Sequence, residues 1–378
     1  MSSPLPCARR VRRPLLLGTS GAGALAALLA IAACARTDDS TEVEPDRGGV
    51  VPALDADVEA AVEAGDAEAP PCAASSLCPV SLPLAYGYVT SIVGRSASDI
   101  WASGTGGLLM HWNGDQWSVS SLEKPDTVSS LHLTHDEVWG VAGDLVVRAS
   151  LEPQSVRTTR LENGRTIRSL SVLSSGEVYV GLGADFGSTS KILGRLDFDA
   201  SSLTYLANPD LPWSGTAEPV SVRAGFLVPE SALWLVGDHG AVARYPIARL
   251  QDVGDAGDGA APGTLLPTTS RASLLAAWGY ADHLWAAGTQ GTILHFDGSA
   301  WHAEQTGTEV TLNAIFGTSA TDIWAAGDDG TVLHFDGEDW TAVDVGSYHG
   351  SFRAIWAATP DDVWIGGEGT MFHRGANR

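Results

Sequence analysis

Residues 317–340 read GTSATDIWAAGDDGTVLHFDGEDW, with two tryptophans, one histidine and six acids set between glycine turns. Taken alone, His334 among carboxylates suggests a chemical site. The rest of the chain gives the stretch another meaning. Its hexad DIWAAG, around Trp324, has six counterparts: DIWASG at Trp101, EVWGVAG at Trp139, EVYVGLG at Tyr179, ALWLVG at Trp234, HLWAAG at Trp285 and DVWIGG at Trp364. Consecutive aromatics are 38, 40, 55, 51, 39 and 40 residues apart, a period near 40 with two insertions. Self-similarity at that period marks a repeat architecture.

Each unit holds more than the hexad. An apolar run precedes it (VTSIVG, LLAAWG, LNAIFG, FRAIWA), and a turn and a third run follow it (GLLMHWNG, GTILHFDG, GTVLHFDG). A fourth run begins at Trp117, Trp301 or Trp340. Four short strands in about 40 residues make one propeller blade. No segment sustains the 3.6-residue period of a helical repeat. Forty-three glycines and thirteen tryptophans fit a turn-rich, aromatic-packed protein. The sequence therefore predicts an all-β fold, a seven-bladed β-propeller of four-stranded blades. The last unit ends at TMFHRGANR without a fourth strand, and CPVSLPLAYG (78–87) precedes the first inner strand unassigned. The expectation is that this N-terminal strand closes the last blade.

This style of repeat resembles the WD40/YVTN/BNR-like propellers, especially bacterial lipoproteins carrying such repeats in series, over residues 80–378. FDGSAW and FDGEDW resemble the end of the Asp-box of sialidase-type propellers, although the leading Ser-x-Asp is missing. The resemblance implies the fold and leaves the function open, because one fold hosts many activities.

The N-terminus reads as a targeting segment. Arg9, Arg10, Arg12 and Arg13 precede a run from Pro14 to Ala33 of apolar and small residues, and Cys34 follows it. Ile31-Ala32-Ala33-Cys34 resembles the lipobox of bacterial lipoproteins. That resemblance implies cleavage before Cys34 and lipidation of its sulfur and new amine; an ordinary signal peptide or membrane anchor is the alternative. Residues 1–33 are thus expected to be a lipoprotein signal peptide. Residues 34–70 are expected to be a disordered acidic tether, with eleven acids, two arginines and no aromatic residue after the cysteine. Residues 71–378 are expected to form the propeller. Two or three acyl chains hold a protein on a membrane firmly. Ala35, where a retention signal would place Asp, favours the outer membrane by resemblance. The remaining pair, Cys72 and Cys78, is expected to form a disulfide, as an even cysteine pair in an exported protein commonly does.

Charge narrows the partners. Removing residues 1–33 takes away four arginines and no acid, moving the formal net charge from −23 to −27. Such a surface repels nucleic acid and anionic headgroups. Membrane association is therefore expected through the lipid anchor only.

The residues that look chemical mostly fall on the repeat. His111, His295, His334 and His373 share one position of the third strand, and Arg148, Arg195 and Arg244 occupy it in the other units. Copies spread around a ring do not converge on a metal, so no metal and no cofactor are expected. Each basic side chain is instead expected to bond a carboxylate or carbonyl of its own or the next blade, with Asp99, Asp322 and Asp362 as acceptors. Trp101, Trp139, Tyr179, Trp234, Trp285, Trp324 and Trp364 read as structural packing aromatics.

Two departures from the repeat carry the functional expectation. The third unit has a lengthened turn, GLGADFGSTSK (181–191), and a long crossing to the fourth, ANPDLPWSGTAEP (207–219). Both should rise on one face, with Asp185, Phe186, Asp210 and Trp213 as ligand-binding candidates, because aromatics on long loops commonly mark recognition; the alternative is two loops that cover each other's apolar side chains. A further insertion, 251–263, holds Asp252, Asp255 and Asp258 but lacks the oxygen set of a calcium loop. No catalytic motif appears. The leading expectation is a monomeric, lipid-anchored propeller of the bacterial cell envelope that binds a protein, peptide or glycan through loops on one face. The alternatives are a sialidase-like glycoside hydrolase or lyase, using arginines at the central axis, and an envelope assembly factor.

Overall fold

The computed structural model describes residues 76–80, 82, 87–121, 126–150, 155–161, 166–183, 192–206, 221–251 and 263–375. They form seven sheets of four antiparallel strands each. Blade I comprises Val89–Ser96, Asp99–Gly104, Leu108–Trp112 and Trp117–Ser121. Blade II comprises Ser130–Leu133, Glu137–Ala142, Leu145–Ser150 and Ser155–Arg160. Blade III has Ile167–Val172, Val178–Leu182, Leu193–Asp197 and Ser202–Tyr205. Blade IV has Val222–Val228, Ala232–Gly237, Val242–Pro246 and Thr264–Leu265, with a short helix, Ile247–Gln251, before its outer strand. The inner strands of blades V, VI and VII are Leu274–Tyr280, Leu312–Ser319 and Phe352–Thr359. Each inner strand touches that of the next blade, and the seventh touches the first, so the ring is closed.

The closing strand is Cys78–Val80. It pairs antiparallel with the third strand of blade VII, setting Cys78 opposite His373, Pro79 opposite Phe372 and Val80 opposite Met371. Leu77, Val80 and Leu82 join the apolar clusters of that seam. The added strand covers the outer edge that the third strand of blade VII would otherwise present. Cys72 lies outside the described residues.

Burial explains the hexad. Neighbouring blades cover both faces of each second strand, so such a strand reads as a continuous apolar run rather than an alternating one. Ala232–Gly237 and Asp322–Gly327 are buried along their whole length, and the other second strands nearly so. Where an inner strand carries tryptophan, the next blade offers glycine. A Cβ on Gly94 of blade I would lie 2.5 Å from Trp356 of blade VII, and one on Gly317 of blade VI 2.8 Å from Trp278 of blade V. Large aromatics seated on glycine are one way adjacent twisted sheets approach closely.

Candidate functional site

One register governs the polar side chains between strands. The aromatic of each second strand faces the basic residue of the third: Trp101 and His111, Trp139 and Arg148, Tyr179 and Arg195, Trp234 and Arg244, Trp285 and His295, Trp324 and His334, Trp364 and His373. The ring of His373 stacks on Trp364 at 4.0 Å, and its Nε2 lies 2.8 Å from Asp362 Oδ1. Trp364 donates to the same oxygen at 3.1 Å. Blade I repeats the triad with Asp99, Trp101 and His111, and blade VI pairs His334 with Asp322 at 2.7 Å. In blade II, Arg148 lies 2.6 Å from Glu137 and over the Trp139 ring. Arg244 has no acid on its own second strand and reaches Asp282 of blade V at 3.6 Å. These contacts are satisfied within the scaffold. Burial pushes the Asp99 carboxyl up, but hydrogen bonds from Arg95 and His111 outweigh it and hold the group below the usual range. Asp322 is held low in the same way, by His334 and Thr318 against its burial.

The unrepeated chemistry sits at the ends of the inner strands. Successive strands alternate direction, so one face of the ring carries the inner-strand starts, the turns from second to third strand and the crossings between blades. We call it the entry face; the other turns form the exit face. Six inner strands break register one residue after their start, at Thr90, Arg168, Arg223, Leu275, Asn313 and Arg353. Ser129 holds the equivalent place in blade II. An extra residue at a bulge leaves the ladder and re-aims its side chain. The entry-side mouth of the axis is therefore ringed by three arginines, three hydroxyl or amide side chains and one leucine, with no acid at this position.

The three arginines differ in what they touch. Arg223 forks onto Asp238 with bonds of 2.7 and 3.1 Å. Arg353 lies over the Tyr88 ring at 4.8 Å. Arg168 is exposed and makes no hydrogen bond or ion pair among the described residues. It stands at the stems of both long loops. The Gly183 amide donates to the Thr166 carbonyl at 2.9 Å, and a Cβ on Gly183 would lie 3.4 Å from Arg168 Nε and 3.5 Å from Ser221 Oγ. The residue entering the first loop thus neighbours the residue leaving the second, and Arg223 follows two positions later.

Asp185, Phe186, Asp210 and Trp213 lie outside the described residues, as do Cys34 and Asp252, Asp255 and Asp258. Among the described residues no group of three or more His, Cys, Asp or Glu is placed to hold a metal ion. Sequence reasoning missed the arginine mouth. Its signal was present in the inner strands aligned on their aromatic position, where IRSLS, VRAGF and FRAIW show arginine at one place.

No protein-family model matches the chain, and a search of curated proteins finds no match. Solved structures do match. A structure of YCF48 bound to D1 peptide aligns with a TM-score of 0.59 at 16% identity, covering 80% of this chain and 97% of that one. Virginiamycin B lyase from Staphylococcus aureus aligns with a TM-score of 0.62 at 15% identity, covering 79% and 98%. YCF48 from Cyanidioschyzon merolae aligns with a TM-score of 0.61 at 13% identity, covering 79% and 98%. At such identity the likeness shows the propeller fold alone.

Proposed function

We propose that this protein is a lipid-anchored binding propeller of the bacterial cell envelope, and that its entry face recognises a carboxylate-bearing protein or peptide segment. The observation that carries the reading is the arginine mouth. Three guanidinium groups share one bulge position in a chain of net charge −23, and Arg168 is unpaired among the described residues. Guanidinium forks bind carboxylates bidentately. The stems of the two long loops, Gly183 and Ser221, lie beside Arg168; in this proposal Asp185, Phe186, Asp210 and Trp213 frame the ligand. The neighbour solved with a peptide is consistent with a peptide partner. Anchoring rests on Cys34 and the tether on residues 34–70; a Cys72–Cys78 disulfide would pin the chain just before the closing strand.

The test uses the chain from residue 71 onward and a fluorescein-labelled hexaglutamate peptide. Arg168→Ala with Arg353→Ala should weaken binding roughly tenfold or more, since a charge-assisted hydrogen bond is worth about 1.5–3 kcal/mol. No binding by the unaltered domain, or equal binding by the double variant, would overturn the reading. Trp213→Ala should weaken binding with little change in melting temperature. Cys34→Ser should release the full chain from membranes.

The same arginines favour a second reading, hydrolysis of an acidic sugar at the axis. Release of 4-methylumbelliferone from a sialic acid glycoside, lost in Arg168→Ala, would support it. No release by the unaltered domain would remove it.

A further inference from the structure

The exit face holds a recess that the arginine mouth does not involve. A groove of about 1160 Å³ runs outward from the inner-strand ends at His132 and Leu227, across the third strand of blade III, to its outer strand at Ser202 and Thr204. The first turns of blades II and IV wall it, at Asp136 and Glu230. Drug-sized ligands occupy roughly 300–1,000 Å³. A recess of this volume that crosses a whole blade suits a stretch of extended chain.

The lining is apolar beneath and acidic above. Leu173, Leu196, Phe198 and Leu227 line it together with six carboxylates and two guanidinium groups. Both guanidiniums are engaged by their own blades: Arg148 by Glu137 at 2.6 Å, and Arg195 by Glu177 at 3.8 Å. His132, whose Nε2 donates to the Val172 carbonyl at 3.2 Å, adds no charge near neutrality, because burial brings it down to about 4. Asp197 and Glu230 remain exposed at the lip, and Asp136 there meets His135 Nδ1 at 2.5 Å in a pair that is almost fully exposed and screened by water. Asp199 meets Arg157 at 2.6 Å, but both side chains are more than half exposed and water screens the pair. The described carboxylates are not grouped to hold a metal ion.

We infer that this groove is a second binding site, for an extended peptide in which lysine or arginine side chains alternate with apolar ones. Alternate residues of an extended chain point to opposite sides. Apolar side chains can then face Phe198 and Leu227 while cationic ones reach Asp136 and Glu230. Complementary charge steers such a ligand to the groove and fixes its orientation. A carboxylate ligand of the entry face is repelled from it, so the two faces sort ligands of opposite sign.

Glu230 supplies a clean variant. Its φ is +62°, a left-handed conformation, and the matching turn of blade III carries Gly176 at +90°. Glu230→Gly therefore removes a carboxylate while relaxing the backbone. The probe is a fluorescein-labelled heptapeptide of alternating lysine and leucine, followed by fluorescence anisotropy at low salt on the domain from residue 71. Glu230→Gly with Asp136→Asn should weaken its binding roughly tenfold or more. Glu338→Gln with Asp339→Asn, exposed on the same face in blade VI, should leave affinity within about twofold, as distant rim charges contribute little. A glutamate–leucine heptapeptide should not bind. The inference is overturned if the unaltered domain ignores the lysine peptide, if the blade VI variant weakens it equally, if the groove variant leaves it unchanged, or if the glutamate peptide binds as well.

Discussion

His283 Nδ1 and His295 Nε2 lie 3.0 Å apart in blade V, where blades I and VII place an aspartate against the histidine. Two imidazoles share a hydrogen bond only if one nitrogen lacks its proton. The second loss is at Trp285, whose indole nitrogen is buried without a partner among the described residues, whereas Trp101 and Trp364 donate to the aspartate. His283→Asp should supply an acceptor to both groups. The expected gain is about 1–2 kcal/mol, read as a rise of a few degrees in melting temperature. A fall would show that the histidine pair is the better arrangement.

The seam between blades VII and I makes a second prediction. Trp356 fills the space above Gly94, so Gly94→Val forces a methyl-bearing carbon into the indole. Overpacking of this kind costs about 3 kcal/mol. Denaturant midpoints should drop accordingly. The paired change Gly94→Val with Trp356→Leu should recover part of the loss, and failure to do so would mean the backbone of Gly94 matters more than the contact.

The acid limb of stability should carry the mark of His132. Its folded value, about 4, lies below the ordinary 6.5 because burial disfavours the charged ring. The unfolded chain therefore binds the extra proton, and stability falls as pH drops from about 6.5 to about 4. Asp99 and Asp322 act in a separate window. Their lowered values stabilise the fold above about 3.8, and that contribution is lost below it as the carboxyls protonate. Blades IV and VI carry Phe226 and Phe316 where blade II has His132. His132→Phe should flatten the slope between pH 6.5 and 4 and leave the steeper loss at lower pH intact. An unchanged slope would assign it to other groups.

Closure of the ring is tested by truncation. A chain beginning at residue 88 lacks the strand Cys78–Val80 and the apolar side chains of Leu77 and Leu82. It should melt several degrees below the chain from residue 71 and should self-associate through the exposed edge of blade VII. Equal melting temperatures would make the strand an accessory.

The architecture was legible because a blade is a local object. The aromatic period, the four-run unit and the missing last strand together predict seven blades and a closing N-terminal strand, and the structure has both. The basic residues of the third strand were legible too, since strand pairing puts Trp324 directly opposite His334 whatever the rest of the ring does. The arginine mouth was not. Arg168, Arg223 and Arg353 are separated by 55 and 130 residues, and nothing local to any one of them marks a bulge. The exit-face groove draws on blades II, III and IV at once, and its acids fall in turns that look like ordinary solvated connections.

What the sequence determined by itself was the unit, its number and its internal register, because those follow from period-2 side-chain alternation and apolar runs within some 40 residues. What only the tertiary structure decided was which odd residues meet. The bulges set Arg168, Arg223 and Arg353 at one inner-strand position on one face, and the packing of three adjacent blades leaves a recess between Asp136 and Glu230. Both depend on the ring closing, since only closure sets the distance between side chains of different blades.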